Sequence, residues 1–269
     1  MKSASPYVVA ALMICCMACA GTASAANPEY GRCTKEGVKE ISKYDNAKCL
    51  KLASEDPGTE AEKLKKGNYV WHPGAPPKAG FTAALEPATI ASLETKVGTK
   101  VTCTGFSSAG KYTGLKTVSV QKTDFSGCES GGIKCNTVGA GVGVIKAKEL
   151  EGELGVITSG VPHTKDKIGN VLWPAGGTST SGSEFAEFAC GGLPVKAKNS
   201  VIAAVTANAM KSAPKVKYAS SKGVQKPMRF EGGPDTFLEG TVGAGPYEPF
   251  GIAAKTIQTN EEAVEIRSL

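Results

Sequence analysis

The residues of this chain that could do chemistry are few, and their spacing limits them further. Only two histidines occur, His72 and His163. Neither is set in a G-x-S-x-G elbow or any other triad context. His72 stands between Trp71 and Pro73, and His163 follows Pro162 in a charged loop. Acid–base work by paired carboxylates has three candidate pairs: Glu184 with Glu187, Glu151 with Glu153, and Glu231 with Asp235. Such a pair is what an exported polysaccharide hydrolase would need, its two carboxyl groups held about 5–10 Å apart across a cleft. Isolated glutamates on strands otherwise form a wet face. The chain contains no EF-hand loop, no H-E-x-x-H helix and no aspartate cluster. The glycines of VGAGVGV lie in a strand-like pattern with no helix start behind them, so they do not read as a phosphate cradle. The sequence therefore names no catalytic residue, no metal ligand and no cofactor site.

Flat aromatic rings near turns are the remaining currency. Trp71, Trp173, Tyr112 and Tyr247 are the candidates for lining a ligand surface, since each offers apolar area with a polar edge. The bland reading is that such rings plug a core.

The cysteines carry a different chemistry. Lys2, the apolar run Val8–Ala20 and the small-x-small site Ala23-Ser24-Ala25 form an export signal. The run is too short for a permanent membrane helix. Cleavage after Ala25 removes Cys15, Cys16 and Cys19, and leaves Cys33, Cys49, Cys103, Cys128, Cys135 and Cys190. An even count in an exported chain reads as three disulfides. No C-x₂₋₄-C pair remains to argue for zinc. Short loops favour Cys33 with Cys49 and Cys128 with Cys135, which leaves Cys103 with Cys190 as a long-range bridge.

The elements that would position these residues are strands. In Thr89–Glu129, Val101 and Cys103 alternate with Lys100, Thr102 and Thr104, the period-two pattern of a half-buried strand. Gly98 supplies a turn, and Phe125 breaks the register set by Val118 and Val120, which predicts a β-bulge between Val120 and Phe125. Strand-like runs separated by Gly, Pro or Asn continue to the end of the chain. Met228–Glu231 is among them. Ser200–Ala207 is also read as a strand, although the alanines of 202–211 make a turn or two of helix the competing reading there. No strict internal repeat is visible. The expected fold is all-β: an antiparallel β-sandwich or partly closed barrel over 81–269. An N-terminal extension over 26–80, stapled by Cys33/Cys49, precedes it. That extension carries a short helix capped at Thr59, with Glu62 three residues on. The low-complexity piece Pro174–Ser183 reads as a mobile surface loop.

The net charge of +6 is small for the length and no run of five like charges occurs, which argues against a nucleic-acid partner.

Several short motifs carry a resemblance: YGRC at Tyr30–Cys33, YVWHPG at Tyr69–Gly74, KVTC at Lys100–Cys103, FSGCE at Phe125–Glu129, LEGELG at Leu150–Gly155, FAEFACGG at Phe185–Gly192, FEGGP at Phe230–Pro234 and TNEE at Thr259–Glu262. Together they resemble a multi-paralogue group of exported, uncharacterised proteins of actinobacteria. The resemblance implies a secreted β-fold and no activity. The expectation is a secreted or envelope-associated, non-enzymatic binding or structural domain. Its partner would be a wall or extracellular polysaccharide or an envelope protein. The alternative is the carboxylate-pair hydrolase.

Overall fold

A computed structural model describes residues 28–36, 42–53 and 67–268. The expected export signal and the short helix expected at Thr59 lie outside these residues. Among the described residues there is no α-helix, only a single 3₁₀ turn at His163–Lys165. The remainder is strand and turn.

Two strands open the chain, Glu29–Lys35 (β1) and Tyr69–Pro73 (β2). Four similar units follow. The first is Gly80–Leu85 (β3), Ala91–Thr95 (β4), Lys100–Cys103 (β5) and Gly105–Tyr112 (β6). The second is Thr117–Ser126 (β7), Glu129–Ser130 (β8), Ile133–Asn136 (β9), the short Ile145–Lys146 (β10) and Leu150–Thr158 (β11). The third is Lys167–Pro174 (β12), Glu184–Cys190 (β13), Leu193–Lys198 (β14) and Val201–Val205 (β15). The fourth is Lys215–Ser221 (β16), Val224–Lys226 (β17), Glu239–Val242 (β18) and the long Glu248–Asn260 (β19). Glu265–Arg267 (β20) ends the fold.

The outer strands of the units pair in chain order, β3–β6–β7–β11–β12–β15–β16–β19, and β19 returns to β3. This is a closed eight-stranded antiparallel barrel. The inner strands form a second closed circuit, β4–β5–β8–β9–β13–β14–β18–β19, and β19 returns to β4. The molecule therefore has two storeys joined by strands that run through both. Cys103 is followed directly by β6, Ser126 almost directly by β8 and Lys198 by β15, while β19 spans both levels. Each unit gives the upper barrel two strands and the lower ring a hairpin. Closure leaves neither storey an unpaired edge. The repeat is invisible in the sequence because the four units share pairing, not residues.

The predicted bulge is present: Ala109 pairs with Lys122 and Gly110 with Val120, so Gln121 is the extra residue. One expected strand is absent: Met228–Glu231 is not a strand; Pro227 before it lacks an N–H and Gly232 after it turns with φ +71°. The strand expected over 200–207 is present as Val201–Val205, because pairing on both sides with β12 and β16 overrides the helix propensity of its alanines.

The disulfides correct the sequence expectation. Cys33–Cys49 forms, but the other bridges are Cys103–Cys128 and Cys135–Cys190. These four cysteines stand at one level on β5, the start of β8, β9 and β13. Cys135 and Cys190 are direct cross-strand partners. The expected Cys103–Cys190 link would have to cross two intervening strands, roughly 14 Å at ordinary strand spacing. The observed bridges span Cα distances of 4.0 and 4.1 Å, the close approach of a non-hydrogen-bonded antiparallel pair. Each closes a seam that has little else: β5 meets β8 through one residue pair and β9 meets β13 through two. The two unstapled seams between units, β14–β18 and β19–β4, have four pairs each.

Candidate functional site

The structure scatters the four aromatic candidates. Trp71 belongs to a three-stranded cap, β2–β1–β20, over one mouth of the barrel. Its indole N–H donates to Glu29 at 2.7 Å and Arg267 stacks on its ring. Tyr112 is buried inside the barrel, packed against Tyr30 and Phe81. Its hydroxyl donates to Asn260 at 3.0 Å and accepts from Gln258 at 2.7 Å. Burial raises the phenol well above its usual range, against the pull of those two side chains. Tyr247 is exposed at a hairpin tip, with Lys198 above its ring. Trp173 borders a concavity. Trp71 and Tyr112 are thus framework residues.

The barrel interior is nearly filled. Tyr30 reaches in from the cap and exchanges hydrogen bonds with Asn170 at 2.6 and 2.9 Å. Burial first, and then the neighbouring Tyr112, keep its phenol protonated well above the ordinary range. The space left beside Phe106, Tyr218 and Gln258 is about 30 Å³, enough for a water or two. Burial pushes the Tyr218 phenol up to about 12.

The Trp173 concavity lies outside the barrel. Residues 169, 171 and 173 of β12 and 151, 153 and 155 of β11 share the outer face, with Glu153 opposite Val171 and Glu151 opposite Trp173. Two irregular segments wall this face. Phe230, from the segment after β17, lies on Gly155, where a Cβ would come within 2.3 Å of the ring. That glycine is what seats the phenyl group. Glu231 fastens the same segment: its carboxylate accepts from the Ser159 N–H at 2.7 Å and hydroxyl at 2.5 Å, and its N–H donates to Val156. The opposite wall is 174–183, expected to be mobile. Hydrogen bonds tie it down instead, from Ser200 Oγ to the Ser179 carbonyl at 2.7 Å and from the Asn199 N–H to the Ser183 carbonyl at 2.9 Å.

The enclosed groove holds about 390 Å³, within the range of small-molecule sites. Trp173 and Phe230 give it apolar surface, Thr178 and Ser179 border it, and Glu153 enters it exposed. Among the described residues no hydrogen bond or ion pair engages the Glu153 carboxylate. The Trp173 Nε1 is buried without an acceptor. Sequence reasoning found Trp173 and weighed Glu153 only as an acid. It missed Phe230, whose signal was the outward-facing Gly155 in LEGELG.

The acid–base candidates fare differently. Glu184 pairs with Lys148 and Glu187 with Lys196, both at 3.2 Å. Glu231 is held by Ser159, and Asp235 faces Arg229 at 3.4 Å. Glu151 and Glu153 rise side by side from one strand rather than facing across a cleft. His72 lies 3.3 Å from Glu36. Ser268, Asp166 and His163 do cluster, with Ser268 Oγ donating to Asp166 at 2.7 Å and His163 Nδ1 3.3 Å from the same oxygen. The order is wrong for a nucleophile, because the carboxylate and not the imidazole takes the serine proton. Burial alone would raise the Asp166 carboxyl. Hydrogen bonds from the Gly160 N–H and Ser268, together with His163, hold it below the usual range. Among the described residues no cluster could hold a metal ion, and no helix is long and apolar enough to cross a membrane.

Compared with family models, with curated proteins and with solved structures, the chain matches none.

Proposed function

We propose that the protein is exported, processed after Ala25, and acts outside the cytoplasm as a non-enzymatic binding domain. In this reading it belongs with the exported actinobacterial group that its motifs resemble. The ligand is polyhydroxylated, of the kind displayed by wall or extracellular polysaccharide, and it enters the groove at Trp173. One observation carries this reading: an unpaired carboxylate, Glu153, beside the apolar surface of Trp173 and Phe230 in a groove of about 390 Å³. Sugar rings present apolar faces to aromatic side chains, and their hydroxyls donate well to a carboxylate. The three closed disulfides fit an oxidising compartment. The cations and donors bound to the other acid pairs favour binding over hydrolysis.

The test uses the small number of tryptophans. Trp71→Phe leaves Trp173 as the sole indole reporter. Titration with soluble wall oligosaccharides should then shift its emission with saturation. Glu153→Ala or Phe230→Ala should weaken binding by about tenfold or more, the scale of one charge-assisted hydrogen bond or one aromatic contact. Unchanged emission, together with no retention of the protein on insoluble polysaccharides or envelope fractions, would sink the proposal.

A further inference from the structure

The lower ring ends in four hairpin turns, one from each unit. β4, β8, β13 and β18 all run away from the barrel, and β5, β9, β14 and β19 all return to it. The four turns therefore project from the same end of the molecule. Each contains a glycine with positive φ, at Gly98, Gly131, Gly191 and Gly243. Each also presents one large apolar side chain to solvent: Val97 (78 % exposed), Ile133 (55 %), Leu193 (49 %) and Tyr247 (45 %). A lone exposed aliphatic residue means nothing by itself. Ile133 and Leu193 each follow a Gly-Gly turn directly, while Val97 precedes Gly98 and Tyr247 follows Gly243 by four residues, so every one of the four turns carries one.

The tips also touch. Ile133 lies against Gly191, whose added Cβ would stand 2.7 Å from its Cγ2, and Leu193 lies 3.3 Å from the corresponding point at Gly243. The Lys96 N–H donates to the Pro249 carbonyl at 3.0 Å, which joins the Val97 turn to the foot of β19. Ile133 and Leu193 are thus each seated on the next turn's glycine, while Tyr247 lies beneath Lys198.

Charge selects what such a rim would meet. The segments 96–100, 130–134, 190–194 and 243–247 hold three lysines, Lys96, Lys100 and Lys134, and no carboxylate. Glu129, at the foot of β8, pairs with Lys134 at 2.9 Å. The closed ring offers no strand edge for a partner chain to extend. A convex rim of separate apolar tips offers no groove for a peptide. Protruding Val, Ile, Leu and Tyr side chains flanked by lysines suit a lipid interface, which asks for no directional partner.

We propose that the hairpin rim of the lower ring docks on an anionic phospholipid surface, with Val97, Ile133, Leu193 and Tyr247 entering the headgroup layer and Lys96 and Lys100 meeting lipid phosphates. This surface is independent of the Trp173 groove.

The disulfide-intact full chain would be mixed with vesicles of phosphatidylcholine, with or without one quarter phosphatidylglycerol, and sedimented. Binding should favour the anionic vesicles and weaken as salt rises. The triple variant Val97→Asp, Ile133→Asp, Leu193→Asp should lose binding at least tenfold, and Lys96→Glu with Lys100→Glu severalfold. Val138→Asp, at a side chain 91 % exposed in the β9–β10 loop away from the rim, should bind as wild type. An unchanged thermal midpoint would show the triple variant to be folded. If it fails to fold, Val97→Asp alone, at the most exposed tip, serves in its place. Three results each overturn the proposal: no sedimentation of the wild type with either vesicle, equal binding by wild type and rim variants, or a wild-type dimer in solution that the rim variants dissociate without any vesicle binding.

Discussion

The two storeys of this molecule are built from the same four units and are held together differently. In the upper barrel the longest ladders hold eight residue pairs, β6 with β7 and β11 with β12, and only β15 with β16 is as short as two. Of the four lower-ring seams that join one unit to the next, two are almost bare, and those two carry disulfides; the equally thin β8–β9 and β18–β19 seams lie within units and are closed by their own hairpin turns. The interiors differ as well. Strand β19 crosses both storeys and shows the change residue by residue. Phe250, Ile252 and Ala254 are buried in the lower part, while Thr256, Gln258 and Asn260 turn inward above. Inside a largely apolar barrel, the polar cluster of Tyr30, Asn170, Tyr112, Gln258 and Asn260 is retained because its side chains satisfy one another. A ring with thin seams relies on dry packing and covalent staples.

The sharpest break of that contrast is Phe250→Ala. The ring is buried and Gly240 lies close against it, so the cavity should remain open. A loss of about 3–5 kcal/mol is expected, measured by urea denaturation. Next come the staples. Replacing Cys135 and Cys190 by serine, or Cys103 and Cys128, should cost about 3–4 kcal/mol each by the loop-closure model. The Cys33/Cys49 pair staples only the cap, and its removal should loosen that region with a smaller effect on the global midpoint. Equal losses from all three pairs would mean that thin seams are not what the ring bridges compensate.

The contrast also explains what could be read from the sequence. Period-two alternation around Val101 and Cys103, and the register break before Phe125, are local and were legible, down to the bulge at Gln121. Barrel closure, the four units and the second ring depend on which strands pair across the chain, and no residue pattern states that. The cysteine pairing failed for the same reason. Cys128 and Cys135 face each other across the β8–β9 hairpin, as nearness in sequence suggests, but each is nearer in side-chain geometry to the strand on its other side. Trp173 was found by residue type. Its groove was not, since Phe230 arrives from a segment distant in sequence and is seated by a glycine that carries no chemistry of its own.

Within the upper barrel the expected break is smaller. Asn260 accepts from Tyr112 and Gln258 and donates to the Lys211 carbonyl at 3.1 Å. Asn260→Ala should cost about 1–3 kcal/mol, because the Tyr112 hydroxyl loses its acceptor. The Lys211 carbonyl still receives the Val264 N–H, which keeps the loss below that of a fully orphaned group. A larger loss than for Phe250→Ala would invert the comparison, making the polar cluster of the upper barrel the part that holds the fold.

The cap provides the smallest and most local test. Glu265 on β20 is wholly buried and neither carboxylate oxygen has a hydrogen-bond partner. Burial raises its pKa from 4.5 to about 7, although Arg267 and Lys48 work against the rise. The folded state thus holds the proton more tightly than the unfolded chain does. Below about pH 4.5 both states are protonated and burial of this acid carries no charge penalty. As pH climbs from there to about 7 the unfolded chain gains by ionising first, so cap stability falls across that window and levels off above it. Glu265→Gln should remove this fall and stabilise the cap at pH 7.5 by on the order of 1 kcal/mol, allowing for solvent screening. Amide exchange at Gly31, paired directly with Glu265, would report the change where it occurs. A pH dependence of Gly31 protection between 4.5 and 7 that survives in the variant would assign the titration to another group.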